Sequence, residues 1–470
     1  MTHISRTRTV CTLLALVLLI AIPSMPHQPS AGAASQVQTQ AFYRLRVTFS
    51  STSDWANLIV LNPDILLSIQ VQTVEGETTS VTTEIDQLSV TQSLQRAELR
   101  NRVGIIADYA LDAGALDQPL RLALSTGAMN STRVNVAVMV DGTPTSLSNI
   151  FHQSATEKRH EVDLSSLQTY APETAPLGSA IVPHMLWAFY YSWYESATWS
   201  SPELLDHPLN LYDSNSPLTV RNQIEQARSA GIDGFISSWW GPGHQSDHSL
   251  SLLLNEAQKY DFSVMIYFET LGNARSADDL YDWLSYFIAT YRDHPAYYKI
   301  DGKPVIVPFW SIGVPLHVWT RVFTRLHEEG LDAVYLAMSY DNIAALDLFD
   351  GLYECCVWDA DLDTAVAQAS RATRFYHLLD DNPTPRIFAP AVQPGFDDRL
   401  LPERAGSLQE RENGLTYRRN FDIVLANDPD WIFINSWNEW WENSHIEPSE
   451  LYGTQYLDIT REYANRWKGE

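Results

Sequence analysis

Hydrophobic and polar residues alternate with period two through the first third of the chain. Tyr43, Leu45, Val47 and Phe49 are separated by Arg44, Arg46 and Thr48. That is the pattern of a strand with one face in a core and the other in water. Val134, Val136, Val138 and Val140 repeat it and run into Asp141-Gly142, a hairpin turn signal. Short Val/Thr/Ser-rich strands of this kind, over residues 37–170, predict an all-β sandwich domain. The proline-bearing stretch 171–180 reads as a linker, because its prolines cannot donate to a ladder or a helix.

From residue 181 to 470 the pattern changes to apolar run, loop and helix, repeated. Runs suited to doubly buried parallel strands fall at 186–193, 232–239, 262–269, 304–309, 333–339, 352–357, 387–392 and 431–437. Helical stripes fill the intervals. Ser216-Pro217 opens one, Val220, Ile224 and Ala227 give its apolar face, and Gly231 ends it. Ser276 and Asp279 cap another, with Leu280, Leu284, Phe287 and Tyr291 inward; Tyr417, Phe421 and Val424 mark the last before the final strand. Eight strands alternating with helices predict a (β/α)8 TIM barrel, an α/β fold preceded by the all-β domain.

Residues 1–34 read as a secretory signal peptide. Arg6 and Arg8 precede an uncharged apolar run at 10–22, and Ala31-Gly32-Ala33 offers a cleavage site. The run is shorter than the roughly 20 residues needed to span a bilayer, so no membrane association is expected once the leader is removed. Of three cysteines, Cys11 lies in the leader, and the adjacent Cys355 and Cys356 read as buried thiols. A net charge of −26 argues against nucleic acid, whose phosphates call for clustered Lys and Arg. Asn130-Ser131-Thr132 is a glycosylation sequon. Oligomeric state is left open.

Barrel enzymes collect their reactive groups at the carboxyl ends of the strands. Those ends carry Tyr191 and Trp193, Trp239 and Trp240, Tyr267 and Glu269, Trp310, and the run Trp437-Asn438-Glu439-Trp440-Trp441-Glu442. Fourteen of the 15 tryptophans lie after residue 186. Sugar rings present C–H faces that stack on indoles, so an aromatic floor with carboxylates suits a glycan or polysaccharide. Glu439 and Glu442 are three residues apart and reach one mouth if the chain turns once there. Glycosidic cleavage needs one carboxyl to protonate the leaving oxygen and a second group to attack or stabilise the anomeric centre. Glu269 is a third acid, suited to holding sugar hydroxyls. Asp233 begins its strand, at the stability face, and is set aside. His244 and His248 with Asp247 have a spacing that could place two imidazoles on one helical face, but without the Glu of a metalloprotease motif.

The sequence Trp437-Asn438-Glu439-Trp440-x-Glu442-x-x-x-Ile446-Glu447-Pro448, followed by Tyr452-Gly453-x-x-Tyr456-Leu457, resembles the end of the catalytic domain in glycoside hydrolase family 99. Phe189-Tyr-Tyr-Ser-Trp-Tyr194, residues 231–240, Tyr298-x-x-Asp-Gly-Lys-Pro304 and Pro394-Gly395-Phe396 resemble further segments of that family, in order, so the resemblance spans about 185–460. It implies a barrel hydrolase, endo-acting on α-mannans, that retains anomeric configuration without metal or cofactor. It implies that Glu439 takes the proton of the sugar 2-hydroxyl, whose oxygen attacks its own anomeric carbon. Glu442 would be the general acid and then the base, with Glu269 holding substrate. Phe396 and Asn438 join the candidate substrate-binding residues on the same ground. Where the family commonly has His-Glu-Gly-Thr-Gln, this chain has Trp441-Glu-Asn-Ser-His445. Two other readings compete: a non-catalytic glycan-binding barrel, and a metal-dependent polysaccharide-modifying hydrolase using His244 and His248.

Overall fold

The computed structural model describes residues 39–469 except 52–54, 63–64, 74–78, 86–89, 97–102, 127–130, 154–155, 177–181, 271–275, 339–344, 347, 356–361, 376–385, 403 and 405. The expected leader with Cys11, Asn130 of the sequon and Cys356 therefore lie outside the described residues.

Residues 39–176 form two antiparallel sheets. The strand Thr39–Ser51 buries Tyr43, Leu45, Val47 and Phe49, while Arg44, Arg46 and Thr48 keep partial contact with water. Val134, Val136 and Val138 do the same on Thr132–Val140. That strand turns into Thr143–His152 through Asp141 and Gly142, both at positive φ (49° and 75°), the geometry of a two-residue hairpin. The expected linker is corrected in part: Glu173–Pro176 is a short strand pairing antiparallel with residues 39–42. Pro176 is tolerated because it ends a strand at a sheet edge, where no N–H is required of it.

The second region is a TIM-barrel-like α/β fold. Parallel strands Met185–Tyr190, Gly234–Trp239, Ser263–Glu269, Lys303–Phe309, Val334–Met338 and Gly351–Tyr353 pair in sequence order. The seventh apolar run is divided at Pro390. Ile387–Ala389 pairs with Gly351–Tyr353, and Ala391–Val392 pairs with the last strand, Trp431–Ile434, which in turn pairs with the first. Pro390 still accepts from the Phe433 N–H, so the ring closes through this one segment as it changes partner. Aspartates at the opposite rim hold strand starts: Asp233 accepts the Leu186 N–H at 2.7 Å and Lys468 at 2.6 Å.

The helices form where their caps and stripes put them. Ser216 caps Pro217–Ser229, Ser276 and Asp279 form a capping box on Ala277–Tyr291, and the apolar residues of both stripes are buried. Several strands stop short of their apolar runs. The first ends at Tyr190, because the N–H and C=O of Tyr191 are both taken by the side chain of Asn438, at 2.8 Å each. The last ends at Ile434, because Ser436 turns to Ser444 in its own loop and Trp437 reaches Phe189 of the first strand only out of the ladder's register.

Candidate active site

A cavity of about 350 Å³ opens at the carboxyl ends of the strands. Of the expected residues it gathers Tyr191, Trp193, Tyr267, Glu269, Glu439, Trp441 and Glu442. Glu203, Phe309, Cys355, Leu401, Arg404 and Asn435 complete its wall. A larger cavity, about 520 Å³, lies among the amino-terminal strands. Its two arginines are paired, Arg44 with Glu173 and Arg46 with Asp108, and no such set of carboxylates converges on it.

Glu439 is held as a hydrogen-bond acceptor. Tyr194 donates its hydroxyl to Oε1 at 2.9 Å, and the Trp441 N–H donates to the same oxygen at 3.1 Å. The backbone of Glu439 is fixed by its own N–H on Ser436 Oγ, 2.7 Å. Burial and the neighbouring Glu442 charge push the Glu439 carboxyl far above the ordinary range, against those two donors. Glu442 is also pushed up by burial, but Arg404 draws it back through a short hydrogen bond. The same Arg404 nitrogen lies 3.3 Å from Asp398. The two acids thus face one cavity with unlike surroundings, one under phenol and amide donors and the other under a half-exposed guanidinium.

Glu269, at the end of the third strand, is buried and accepts from Ser238 Oγ at 2.7 Å. Burial, with the charge of Glu442, pushes its pKa up to about 8. It therefore enters neutral solution as a carboxylic acid, able to donate to a sugar oxygen.

The remaining expected residues do not line the cavity. Trp239 is fully buried on the helix side of the barrel, against Phe268, Trp283 and Phe287, with its indole N–H on Asp247. The pleat explains this: Ser238 faces the barrel interior, so its neighbour Trp239 must face out. Trp240 donates to Ser238 Oγ at 3.0 Å and so backs Glu269 at one remove. Trp310 is 45% exposed, at a left-handed φ of 50°, and stands outside the cavity. Phe396 is buried in the short strand Phe396–Asp397, whose Asp397 N–H bonds the Glu442 carbonyl at 2.8 Å. Asn438 is buried behind the wall as the clamp on Tyr191.

The histidine pair goes elsewhere. His244 caps Gln245–Ala257 by accepting the Ser246 N–H, and His248 is exposed. Asp247 accepts from Gly243, Trp239, Tyr286 and Tyr291, all within 3.0 Å. Its lone pairs are taken up in holding this loop, which does not fit it to a metal. His445, one of the departures from the family motif, turns from the cavity to Asp206 at 3.2 Å and stacks under Trp440; burial drives its pKa down to about 4. Only the Trp441 and Glu442 end of that segment meets the cavity.

Arg404, Glu203 and Leu401 were not expected. They sit in loops without periodic pattern, and Arg404, which shares an acidic loop with Arg399, gives no sign in sequence of which carboxylate it will meet. Phe309 could have been found, since it ends the fourth strand beside Trp310, one residue further along the pleat.

The sequence profile of Glycosyl hydrolase family 99 matches residues 205–467. The chain is 25% identical over 332 residues to glycoprotein endo-alpha-1,2-mannosidase of Mus musculus, covering 58% of this chain and 71% of that protein. It is 24% identical over 351 residues to the Rattus norvegicus protein of the same name, covering 60% and 75%. Among solved structures, the GH99 endo-alpha-mannosidase of Bacteroides thetaiotaomicron superposes with a TM-score of 0.52 at 22% identity, over 61% of this chain and 98% of that one. That likeness bears on the fold.

Proposed function

Because the chain belongs to glycosyl hydrolase family 99 and is a glycoside hydrolase, we propose that it cleaves internal α-mannosidic bonds of a glycan with retention of configuration. The observation that carries this reading is the convergence of Glu439 and Glu442 on one aromatic-walled cavity, with Glu269 in the same wall. The relatives whose names specify an endo-α-mannosidase supply the sugar and the mode of attack.

In the proposed reaction Glu439, ionised, takes the proton of the sugar 2-hydroxyl. The freed oxygen attacks the anomeric carbon as the bond to the leaving oxygen breaks, and Glu442 gives its proton to that oxygen. The product is a 1,2-anhydro sugar. Glu442 then takes a proton from water, which attacks the anomeric carbon, and the 2-oxygen recovers its proton from Glu439. Two inversions at one carbon give retention. The pair thus works with a single proton, which repulsion between neighbouring carboxylates favours. Tyr194 and the Trp441 N–H stabilise the ionised form of Glu439. Arg404, which also contacts Asp398, favours the ionised form of Glu442, the form that takes the proton from water in the second step.

The two antiparallel sheets of residues 39–176 are read as a sandwich domain preceding the catalytic barrel, and the apolar leader pattern supports export. A purely glycan-binding role is not favoured, since Glu439 sits buried and Glu442 partly buried in one cavity with unlike surroundings. The test is cleavage of α-mannan by wild type, Glu439→Gln and Glu442→Gln, with products sized and their anomer read by NMR. Wild type should release internal fragments of retained configuration, and each variant should lose roughly 10²- to 10⁴-fold in rate. Undiminished cleavage by both variants refutes the assignment.

A further inference from the structure

Behind the catalytic cavity a further carboxylate is buried whose hydrogen-bond partners are all donors. Glu447 is 6% exposed. Gln223, from the helix Pro217–Ser229, donates Nε2 to its Oε1 at 2.7 Å, and Tyr212 donates its hydroxyl to Oε2 at 2.9 Å. Each donor is itself committed. Gln223 accepts the Tyr190 hydroxyl on Oε1 at 2.8 Å. The Tyr212 oxygen accepts from Trp440 Nε1 at 3.1 Å and from Asn438 Nδ2 at 3.3 Å. Asn438 grips the Tyr191 backbone, while Trp440 and Asn438 flank Glu439 in the chain.

Resting on the hydrolase reading above, we propose that Glu447 is a positioning residue for Glu439: a two-oxygen acceptor that fixes the Tyr212 hydroxyl and, through it, residues 438–441. The donor count requires a carboxylate. With its hydrogen on Glu447, Tyr212 has both lone pairs for Trp440 and Asn438. If Glu447 is protonated on Oε2, three donors meet at the Tyr212 oxygen and its own hydrogen loses its acceptor. Protonation on Oε1 forces Gln223 to turn over, and the Tyr190 hydroxyl then faces an NH2 group. Either way a buried hydroxyl is left unmatched and the hold on residues 438–441 loosens.

The groups facing Glu447 are the phenols of Tyr212 and Tyr190, the Gln223 amide and the Trp440 indole, so no cation among its described partners offsets its burial. Burial pushes its pKa up to about 7. A separate cavity of about 230 Å³, lined by Glu447, Tyr212, Gln223 and Leu209, reaches it from the outer face. Protons can therefore exchange at Glu447 without passing the substrate. Because the folded pKa lies above the ordinary 4.5, the protonated form is the more stable fold, and the ordered catalytic loop is gained only as pH rises through about 7.

The test compares wild type, Glu447→Gln, Tyr212→Phe and the double variant on α-mannan, reading kcat, KM and melting temperature between about pH 5 and 9. Each single variant should lower kcat roughly tenfold or more, with KM within about threefold. The double variant should be no slower than the singles, since both break one chain of contacts. A step near pH 7 on the wild-type acid limb should be missing from both variants. A lowered melting temperature with wild-type kcat and pH profile, or effects that multiply in the double variant, overturns the positioning role. Cleavage by wild type with unaffected variants removes this inference alone, whereas no cleavage by wild type removes the proposed function and this inference with it.

Discussion

Removing one hydroxyl should move the pH at which the enzyme works. The Tyr194 phenol donates to Glu439 Oε1 at 2.9 Å inside the buried wall and accepts the Trp440 N–H at 2.9 Å. A hydrogen bond to a charged partner contributes about 1.5–3 kcal/mol. At 1.36 kcal/mol per pH unit, Tyr194→Phe should therefore raise the Glu439 pKa by about 1–2 units. The sign follows from the donor: it stabilises the carboxylate, so its loss favours the acid. The proposed reaction needs Glu439 ionised, so the acid limb of kcat should shift to higher pH, with a loss of about 10- to 100-fold at neutral pH and partial recovery in alkali. The phenyl ring keeps its stack on Trp199, 5.3 Å between centroids, so the wall stays filled. The Trp440 N–H left without its acceptor costs about 1–3 kcal/mol of stability, and a melting curve reports that separately. A variant whose pH–rate profile superimposes on wild type would sink the claim that this phenol sets the ionisation of Glu439.

Glu269→Gln should be nearly silent at pH 6–7 and diverge above it. Glu269 is already neutral there, with its pKa pushed up to about 8, and glutamine reproduces a neutral side chain of the same shape. Since the folded pKa is raised, the stability tied to this proton is full below 4.5 and fades as pH rises through about 8. The variant should flatten the alkaline fall in melting temperature, measured across that range; a large loss of kcat/KM at pH 6 would mean the carboxylate form is the one that binds. Gly234→Ala should destabilise the barrel itself. A Cβ there would stand 2.3 Å from the Trp187 ring and 2.5 Å from the Ser263 carbonyl. Overpacking of this kind costs about 1–3 kcal/mol, and a melting midpoint equal to wild type would contradict it.

Much of this molecule is legible along its length. Period-two alternation at 43–49 and 134–138, the Asp141-Gly142 turn, the Ser216 and Ser276 caps and the apolar strand runs are local signals, set by backbone geometry and by which face must leave water. They yield the strands, the helices and the barrel, and they place Glu439, Glu442 and Glu269 at strand ends where one mouth can collect them.

What lies within each end is decided by packing. Trp239 and Trp193 look alike as strand-end indoles, yet one fills the layer under a helix and the other lines the cavity, because the pleat and the neighbouring strands fix which side each faces. Arg404 comes 38 residues before its partner Glu442, and Tyr212 comes 235 before Glu447. No periodicity links such pairs. Ring closure alone brings the first loops of the barrel against the last, and the desolvation that raises the site's carboxyl pKa values exists only once that closure has excluded water.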